Sequence, residues 1–590
     1  MYWCGLKMNS KNTEDFLAED DKPINRRSRV FLEGFEHPAA RGQLAGAGLT
    51  REHYGKAQVA IVHNGFDQNT CNMHLDKFAE IVQAAINENP MLKGWKYPVG
   101  GISDGITMGL PGMRASLLSR EWIADAVEGH VYSHPYDTMV AIPGCDKNMP
   151  GVVIAMARLN IPSVMIYGGT IEGGCFKAHK TDIVTGFEGK GQLIQGKIGR
   201  DELEEIIMGS GREGETGICP GAGACGGMYT ANTMSSAIEA LGMSVPYSSS
   251  APTLSKDKKN ELLNISSVVE NLLLKQILPR DIMTKKSFEN AITVVMALGG
   301  STNSVLHLIA MARAAHVDLT VDDFQRISDR TPYLADMKPS GRYLMEDLHK
   351  VGGTPAVLKL LHYHGLLHGD CMTVTGKTLE ENLSTLPGLT TGQDVIRPYD
   401  NPISRTGHIK ILYGNLAPTS AVAKITGKEG NYFEGPANVF DSEEEAFQAL
   451  KDGKIMKGQV VVIGYEGPRG GPGMREMLDF TSAVIGAGYG NDIALITDGR
   501  FSGGTHGYCV CHVTPEAYVG GPIALIRNGD IIAINSTDRT INVHLDDKTL
   551  DARRQEWKAP EPKYTSGLFG KAIRDMSQAN FGAVSDMITR

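Results

Sequence analysis

Ala141-Ile142-Pro143-Gly144-Cys145-Asp146-Lys147-Asn148-Met149-Pro150-Gly151 continues an apolar run that begins at Met139, and sets a thiol, a carboxylate and an amine side by side. Gly144 permits a tight turn there. The apolar residues from Val152 to Ala157 predict a helix just beyond. Strands predicted over Thr138–Ile142 and Ser163–Tyr167 flank that helix, so the stretch reads as a βαβ unit with parallel strands. A thiolate at Cys145 would stand near a helix N-terminus, which favours negative charge and lowers a cysteine's pKa. Soft sulfur beside the hard oxygen of Asp146 suggests two different metals close together. The plainer reading is a buried cysteine next to a surface Asp-Lys pair.

Working outward, the same arrangement recurs. The β-branched stretch Ala57–Val62 predicts a strand that leads through His63-Asn64-Gly65-Phe66-Asp67-Gln68-Asn69-Thr70 to Cys71. Beyond it, Phe78, Ile81, Val82, Ala85 and Ile86 follow helical spacing. Cys225 closes the Gly-rich stretch that starts at Gly217, ahead of a helix marked by Met228, Ala231, Met234, Ile238 and Leu241 on one face. Gly221, Gly223 and Gly226 spell GxGxxG, but no strand precedes them and no acid follows at the distance a dinucleotide site requires. A second Gly-rich loop, Pro98 to Gly105, holds one acid, Asp104, and a helix is predicted from Ser119 through Glu121 and Trp122 onward. Two further helices, 288–298 and 303–315, are joined by Gly299-Gly300-Ser301-Thr302. His74 and His307 fall within predicted helices and read as structural.

After a boundary placed near 365–400 the chain turns β-rich, with strands predicted over 409–413, 421–425, 459–463, 493–497, 523–526 and 541–545. Two loops there follow strand-like runs, where α/β folds commonly carry their chemistry: Glu466 to Glu476, and Thr497-Asp498-Gly499-Arg500-Phe501-Ser502-Gly503-Gly504-Thr505. No Gly-x-Ser-x-Gly surrounds Ser502, which argues against a hydrolase elbow; its plainer reading is a turn hydroxyl.

With 590 residues the chain exceeds one core. The expected division is an N-terminal arm (1–30), an α/β domain (31–385) and a β-rich, barrel-like domain (386–590). A net charge of −9 argues against a general nucleic-acid or anionic-membrane binder. Nine cysteines without close, regular spacing fit a reducing compartment. No 18-residue apolar run is present, so no transmembrane helix is expected. The first 29 residues are polar and contain Asp15, Glu19, Asp20 and Asp21, unlike a transit peptide or a secretory signal.

Cys71, Cys145 and Cys225 each precede a predicted helix. Three thiolates are one short of the usual four that hold an iron–sulfur cluster, and a missing fourth would leave one iron open as a Lewis acid. The rival is structural zinc, which normally shows paired, close ligands that are absent here; Cys219 is a competing sulfur. Asp104, Asp146 and Glu476, all in Gly-rich loops, are oxygen ligands of the kind that suits Mg2+, or else loop acids in water.

Gly100-Gly101-Ile102-Ser103-Asp104-Gly105, Gly144-Cys145-Asp146-Lys147-Asn148-Met149-Pro150-Gly151, Gly223-Ala224-Cys225-Gly226-Gly227-Met228-Tyr229-Thr230-Ala231-Asn232-Thr233-Met234 and Thr497-Asp498-Gly499-Arg500-Phe501-Ser502-Gly503-Gly504 together resemble the dihydroxy-acid dehydratases, which belong with the phosphogluconate and sugar-acid dehydratases. The resemblance runs from about residue 30 to the end, and Asn69-Thr70-Cys71-Asn72-Met73-His74-Leu75 is similar to the eukaryotic branch. It implies an N-terminal α/β domain and a C-terminal barrel-like domain with the site between them, a homodimer, and by the eukaryotic likeness the mitochondrial matrix. It implies that Cys71, Cys145 and Cys225 ligate a 2Fe-2S cluster, that Asp104, Asp146 and Glu476 bind Mg2+, that Lys147 is carbamylated into a further metal ligand, and that Ser502 is the base.

The implied reaction dehydrates 2,3-dihydroxy-3-methylbutanoate, or its 3-methylpentanoate homologue, to the 2-keto acid of valine and isoleucine synthesis. A sugar-acid substrate is the rival within the family; a non-enzymatic iron–sulfur carrier or sensor is the rival outside it. Three positions depart from the family's usual residues (Ala115, Leu118 and Cys511), as does the stretch His63 to Gln68. They put the channel's shape in question and raise a duplicated enzyme with altered inhibitor sensitivity.

Overall fold

The computed structural model describes residues 24–426, 430–490, 492–505 and 507–586. Four strands, β1 (Ala57–His63), β2 (Leu92–Pro98), β3 (Thr138–Ile142) and β4 (Ser163–Met165), form an all-parallel sheet in the order β2-β1-β3-β4. β1 and β3 are buried along their whole length. Helices cover a parallel sheet on both faces, so its inner strands read as continuous apolar runs. From β1 the chain turns through helix Leu75–Glu88 to β2; from β3 it turns through helix Asn148–Leu159 to β4, on the other side. The sheet therefore changes direction between β1 and β3, and a crevice opens at their carboxyl ends. Cys71 and Cys145 stand in the two loops that leave that point.

The helices behind this sheet are the most enclosed parts of the molecule. Every residue of helix Thr230–Leu241 is buried, as is nearly all of Lys285–Leu298 and Asn303–Ala314. β5 (Gly174–Phe176) and β6 (His179–Thr181) form a hairpin ahead of helix Ile183–Ile194.

The second sheet has eight strands: β7 (Ile409–Leu412), β8 (Ser420–Lys424), β9 (Tyr432–Phe440), β10 (Val460–Ile463), β12 (Ala494–Thr497), β14 (Tyr508–Thr514), β15 (Ile531–Asn535) and β16 (Thr540–Val543). Their order is β16-β15-β9-β10-β12-β14-β8-β7, parallel at the centre and antiparallel at both flanks. Tyr413, just past β7, bridges Thr540 of β16, which brings the two edges together into a nearly closed barrel. Side chains alternate as a strand period of two requires. Val460, Val462, Ala494, Ile496 and Val510 fill the barrel interior. Val461, Ile463, Leu495, Cys509 and Cys511 join the main core outside it. Two short strands, β11 (Glu476–Met477) and β13 (Arg500–Phe501), pair in parallel just beyond β10 and β12.

Several sequence expectations change here. The run Ile523–Ile526 is not a strand: Pro522–Leu525 is a 3-10 turn whose Ile523 and Leu525 plug the barrel core. A four-residue apolar run does not distinguish the two by period, and a proline at the first position favours the helical start. β9, β14 and β15 are strands that the reading passed over; β9 carries Gly435 and Pro436, and β14 is broken by a register shift between Cys511 and Thr514. Of the expected arm, residues 1–23 lie outside the described residues. Residues 27 and 28 are docked on the body, where Asp137 accepts from both main-chain amides and from the Ser28 hydroxyl. Among the described residues no helix is long and apolar enough to cross a membrane.

Candidate active site

The loops at the carboxyl ends of β1, β3, β11 and β13 converge on one cavity of about 320 Å³. Its lining includes Cys71, Asp104, Cys145, Asp146, Cys225, Glu476 and Ser502. Lys147, the remaining residue singled out from the sequence, lies directly behind that wall and is 1% exposed.

Asp104, Asp146 and Glu476 bring one carboxylate oxygen each within 4.8 Å of the others. Asp104 opens a short helix, Asp104–Thr107, and accepts from the Ser116 hydroxyl at 2.8 Å. The Lys147 ammonium reaches all three acids: Asp104, Asp146 at 3.3 Å and Glu476 at 2.9 Å. The contact with Glu476 joins the two halves of the chain. Glu476 Oε2 also accepts from Asn303 Nδ2 at 3.0 Å and Arg500 Nη1 at 2.5 Å. Burial opposes ionisation of Glu476, but Lys147 and then Arg500 hold it below the usual carboxylate range. Burial pushes Asp146 up to about 7, against the pull of Lys147. Burial alone would lower Lys147, yet Asp104, Glu476 and Asp146 outweigh it and raise its pKa.

The donor set fits a divalent cation. Ionised, the three acids carry −3 and Lys147 and Arg500 carry +2, a net −1 in a buried pocket. Replacing the ammonium by a carbamate and adding a divalent ion gives −4, +1 and +2, again −1. Hard oxygens are the ligands such ions take.

The sulfur side is equally local. Hydrogen bonding to Cys145 and to Cys225, followed by burial, pushes the Cys71 thiol well up. Metal binding displaces such protons, so the buried thiols of Cys71 and Cys145 together with the half-buried Cys225 fit a thiolate-held metal centre. Cys219 stands on the same wall, with its thiol pushed up to about 12 by burial and then by Cys225. The close approach of the first two loops demands glycine at position 144, where a Cβ would overlap the Cys71 carbonyl oxygen. The Cys225 loop is tied in by Gly223 N–H to Thr70 C=O at 2.9 Å. Asn232 Nδ2 holds its far side, donating to the carbonyls of Cys225 at 2.6 Å and Gly227 at 2.8 Å.

Ser502 follows β13. Its hydroxyl lies near enough to the Glu476 carboxylate to help hold that group ionised, and it accepts from Gly504 N–H at 3.3 Å. One group therefore stands beside the acid cluster and lines the cavity.

The rest of the wall is apolar: Ile183, Val184 and Phe187 on helix Ile183–Ile194, with Met108 and Leu478. Asp182 caps that helix, accepting from Val184 N–H at 3.1 Å and from the Tyr229 hydroxyl at 2.6 Å. Sequence reasoning missed this wall and Asn303, which belong to no spaced motif, and gave no role to Arg500, although it stands in the loop of residues 497–505. The departures at Ala115, Leu118 and Cys511 are not part of the lining, and Leu118 and Cys511 are packed in separate core clusters; of the departing stretch His63 to Gln68, Gln68 does line the cavity. His74 caps its helix and bonds Gly168 C=O at 2.9 Å, and burial lowers its pKa to about 4. His307 is fully buried beside Arg120. Both fit the structural reading.

Residues 56–382 match the family described as dihydroxy-acid/6-phosphogluconate dehydratase N-terminal, and residues 394–583 its C-terminal counterpart. The chain is 52% identical to a dihydroxy-acid dehydratase of Francisella tularensis subsp. novicida, over 96% of this chain and 100% of that protein. It is 53% identical to one of Flavobacterium psychrophilum, over 95% and 99%. It is 52% identical to one of Lactococcus lactis subsp. lactis, over 96% and 98%. These relatives are bacterial and lend no support to the eukaryotic likeness of residues 69–75.

Proposed function

The chain belongs to the dihydroxy-acid/6-phosphogluconate dehydratase family, and from that premise we propose that its cavity removes water from branched 2,3-dihydroxy acids to give 2-keto acids. It is a hydro-lyase, a dihydroxy-acid dehydratase like its relatives. The favoured substrates are 2,3-dihydroxy-3-methylbutanoate and its 3-methylpentanoate homologue, which places the enzyme in valine and isoleucine synthesis. One observation carries this choice: the acid cluster and a group of apolar residues line a single cavity. A carboxylate and C2 hydroxyl suit the charged end, and a C3 methyl or ethyl suits Ile183, Val184 and Phe187. A sugar acid would bring further hydroxyls against that wall, each costing about 1–3 kcal/mol if left unpaired.

Asp104, Asp146 and Glu476, with Lys147 as its carbamate, would hold Mg2+, and Cys71, Cys145 and Cys225 would hold a 2Fe-2S cluster. When bound, the ion would supply positive charge beside the substrate carboxylate and the cluster a Lewis acid for a departing hydroxyl. Ser502 would take the C2 proton. Serine is a weak base at its free pKa and must be activated by its surroundings. Arg500 and Lys147 offset the charge of Glu476, the carboxylate that Ser502 stands beside. The Gly504 N–H already points at the serine oxygen and would stabilise its anion. Ile183, Val184, Phe187 and Leu478 would orient the alkyl groups and exclude water from that side.

A redox carrier would leave Ser502 and the acid cluster without a task. The division at residues 385/386 remains a proposal from the composition of the chain, and a homodimer and the mitochondrial matrix remain proposals from the family resemblance, the last resting on residues 69–75 alone. Of the departures from the usual family residues, Ala115, Leu118 and Cys511 lie outside the lining but Gln68, in the stretch His63 to Gln68, is part of it, so an altered inhibitor response remains a proposal that titration beside an ordinary family member would test. The test is anaerobic purification, with visible spectroscopy and a 2-keto acid assay on the same sample, offering the branched acid beside gluconate. Ser502→Ala should lower kcat by about 10²–10⁴ and leave the spectrum unchanged. Near-normal turnover would refute its role, and preference for gluconate would refute the substrate.

A further inference from the structure

The main-chain amides of Cys71 and Cys145 are joined by a continuous chain of buried asparagine side chains. Cys71 N–H donates to Asn69 Oδ1 at 3.2 Å, and Asn69 Nδ2 donates to Asn72 Oδ1 at 2.7 Å. Asn72 Nδ2 donates to Asn148 Oδ1 at 2.9 Å, and Cys145 N–H donates to that same oxygen at 2.9 Å. A branch runs on from Asn72 Nδ2 to the Asn64 carbonyl at 2.6 Å, and from Asn64 Nδ2 to the Val99 carbonyl at 2.7 Å, at the start of the loop that carries Asp104. Asn64, Asn72 and Asn148 are fully buried and Asn69 is 4% exposed.

The sheet alone does not set the spacing of these cysteines. β1 and β3 are in register up to His63 and Ile142, but there the chain turns to opposite sides and both cysteines lie in the loops beyond. Something past the strand ends must hold the loops together. Uncharged amides suit the task because each offers a donor and an acceptor in one plane and adds no charge beside the thiols. Buried amides are costly where unsatisfied, so the links that are made favour forming together, although Asn64 Oδ1 and Asn148 Nδ2 have no partner among the described residues.

We propose that Asn72 and Asn148 are positioning residues that hold Cys71 and Cys145 at a fixed separation before any metal centre is assembled. The proposal rests on the reading of these cysteines as ligands of one iron–sulfur centre. Asn72→Asp keeps the size but sets an acceptor against the two acceptors, Asn148 Oδ1 and Asn64 C=O, that Nδ2 now serves. Asn69→Ala removes the two links at the Cys71 end and leaves Asn72 bonded to Asn148.

Two readouts test it, both with the full-length chain. In the metal-free protein, phenylarsine oxide bridges thiols only where two lie close, and mass spectrometry identifies the bridged pair. The wild type should give a Cys71–Cys145 bridge, and Asn72→Asp should form it about 10-fold more slowly, in line with the usual cost of losing such supporting bonds. In the reconstituted protein, Asn72→Asp should lose its visible absorption to a chelator about 10-fold faster than wild type. Asn69→Ala should show the same changes in smaller degree and serves if Asn72→Asp does not fold. Folded variants matching wild type in both readouts would overturn the proposal. A wild type that never takes up a cluster would overturn the proposed function instead, while the arsenical bridge still decides the spacing.

Discussion

Substituting Gly144 by alanine should separate the two cysteine loops without unfolding the protein. The backbone at Gly144 is not in a left-handed conformation, so alanine meets no strain from φ and the effect is one of space alone. Its Cβ would overlap the Cys71 carbonyl oxygen and stand 3.1 Å from the carbonyl carbon and 3.2 Å from Leu75 Cδ1. Real Cβ contacts essentially never fall under 3.0 Å. The atom in the way is main chain, which cannot swing aside as a side chain would, so one loop must move by about 1 Å against its neighbour. Overpacking of this kind costs about 1–3 kcal/mol, which a chain of this size tolerates. Catalysis is less tolerant, because a 1 Å misplacement costs about 10²-fold. Gly144→Ala should therefore melt within a few degrees of wild type, as followed by circular dichroism, while its visible absorption falls and its 2-keto acid production drops about 100-fold. A folded Gly144→Ala with wild-type absorption and rate would refute the claim that the close approach of these loops shapes the site.

Two further predictions follow from other parts of the molecule. Glu239 accepts from the amides of Tyr247 and Ser249 at 3.1 and 2.9 Å, and burial pushes it up to about 7 from its usual 4.5. A carboxyl raised in the fold supports stability fully below 4.5 and loses that support as pH rises through 7, a change on the order of 3 kcal/mol. The denaturant stability of wild type relative to Glu239→Gln should thus fall from about pH 5 to about pH 8, and parallel profiles would contradict it. Gly191 and Gly486 cross where helices Ile183–Ile194 and Asp479–Ala487 meet, and a Cβ at Gly191 would stand 2.8 Å from Ala483 C=O and 2.9 Å from Gly486 Cα. Gly191→Ala should cost about 1–3 kcal/mol in stability and raise KM for the branched acid by shifting the apolar wall; unchanged melting and KM would count against it.

Much of this protein is legible in one dimension. The strands leading to Cys71 and Cys145, and the helices that follow, show in apolar spacing, because a residue's neighbours along an element set its face. The candidate ligands Cys71, Cys145, Cys225, Asp104, Asp146, Glu476 and the serine at 502 stand in long, ordered motifs, so the chemistry could be named from residue types and resemblance. The 3-10 turn at Pro522–Leu525 and the interrupted strands β9 and β14 could not, since short runs carry no decisive period and a glycine, a proline or a bulge hides a strand that its neighbours complete. Tertiary structure alone decided which atoms meet: Lys147 with Glu476, Arg500 with that same oxygen, Asn72 with Asn148, and the helix of Ile183, Val184 and Phe187 brought to the same cavity as the acids. Each of these contacts joins residues far apart in the chain. Their distances depend on how two sheets and the helices between them pack, and local sequence exerts no direct control over that packing.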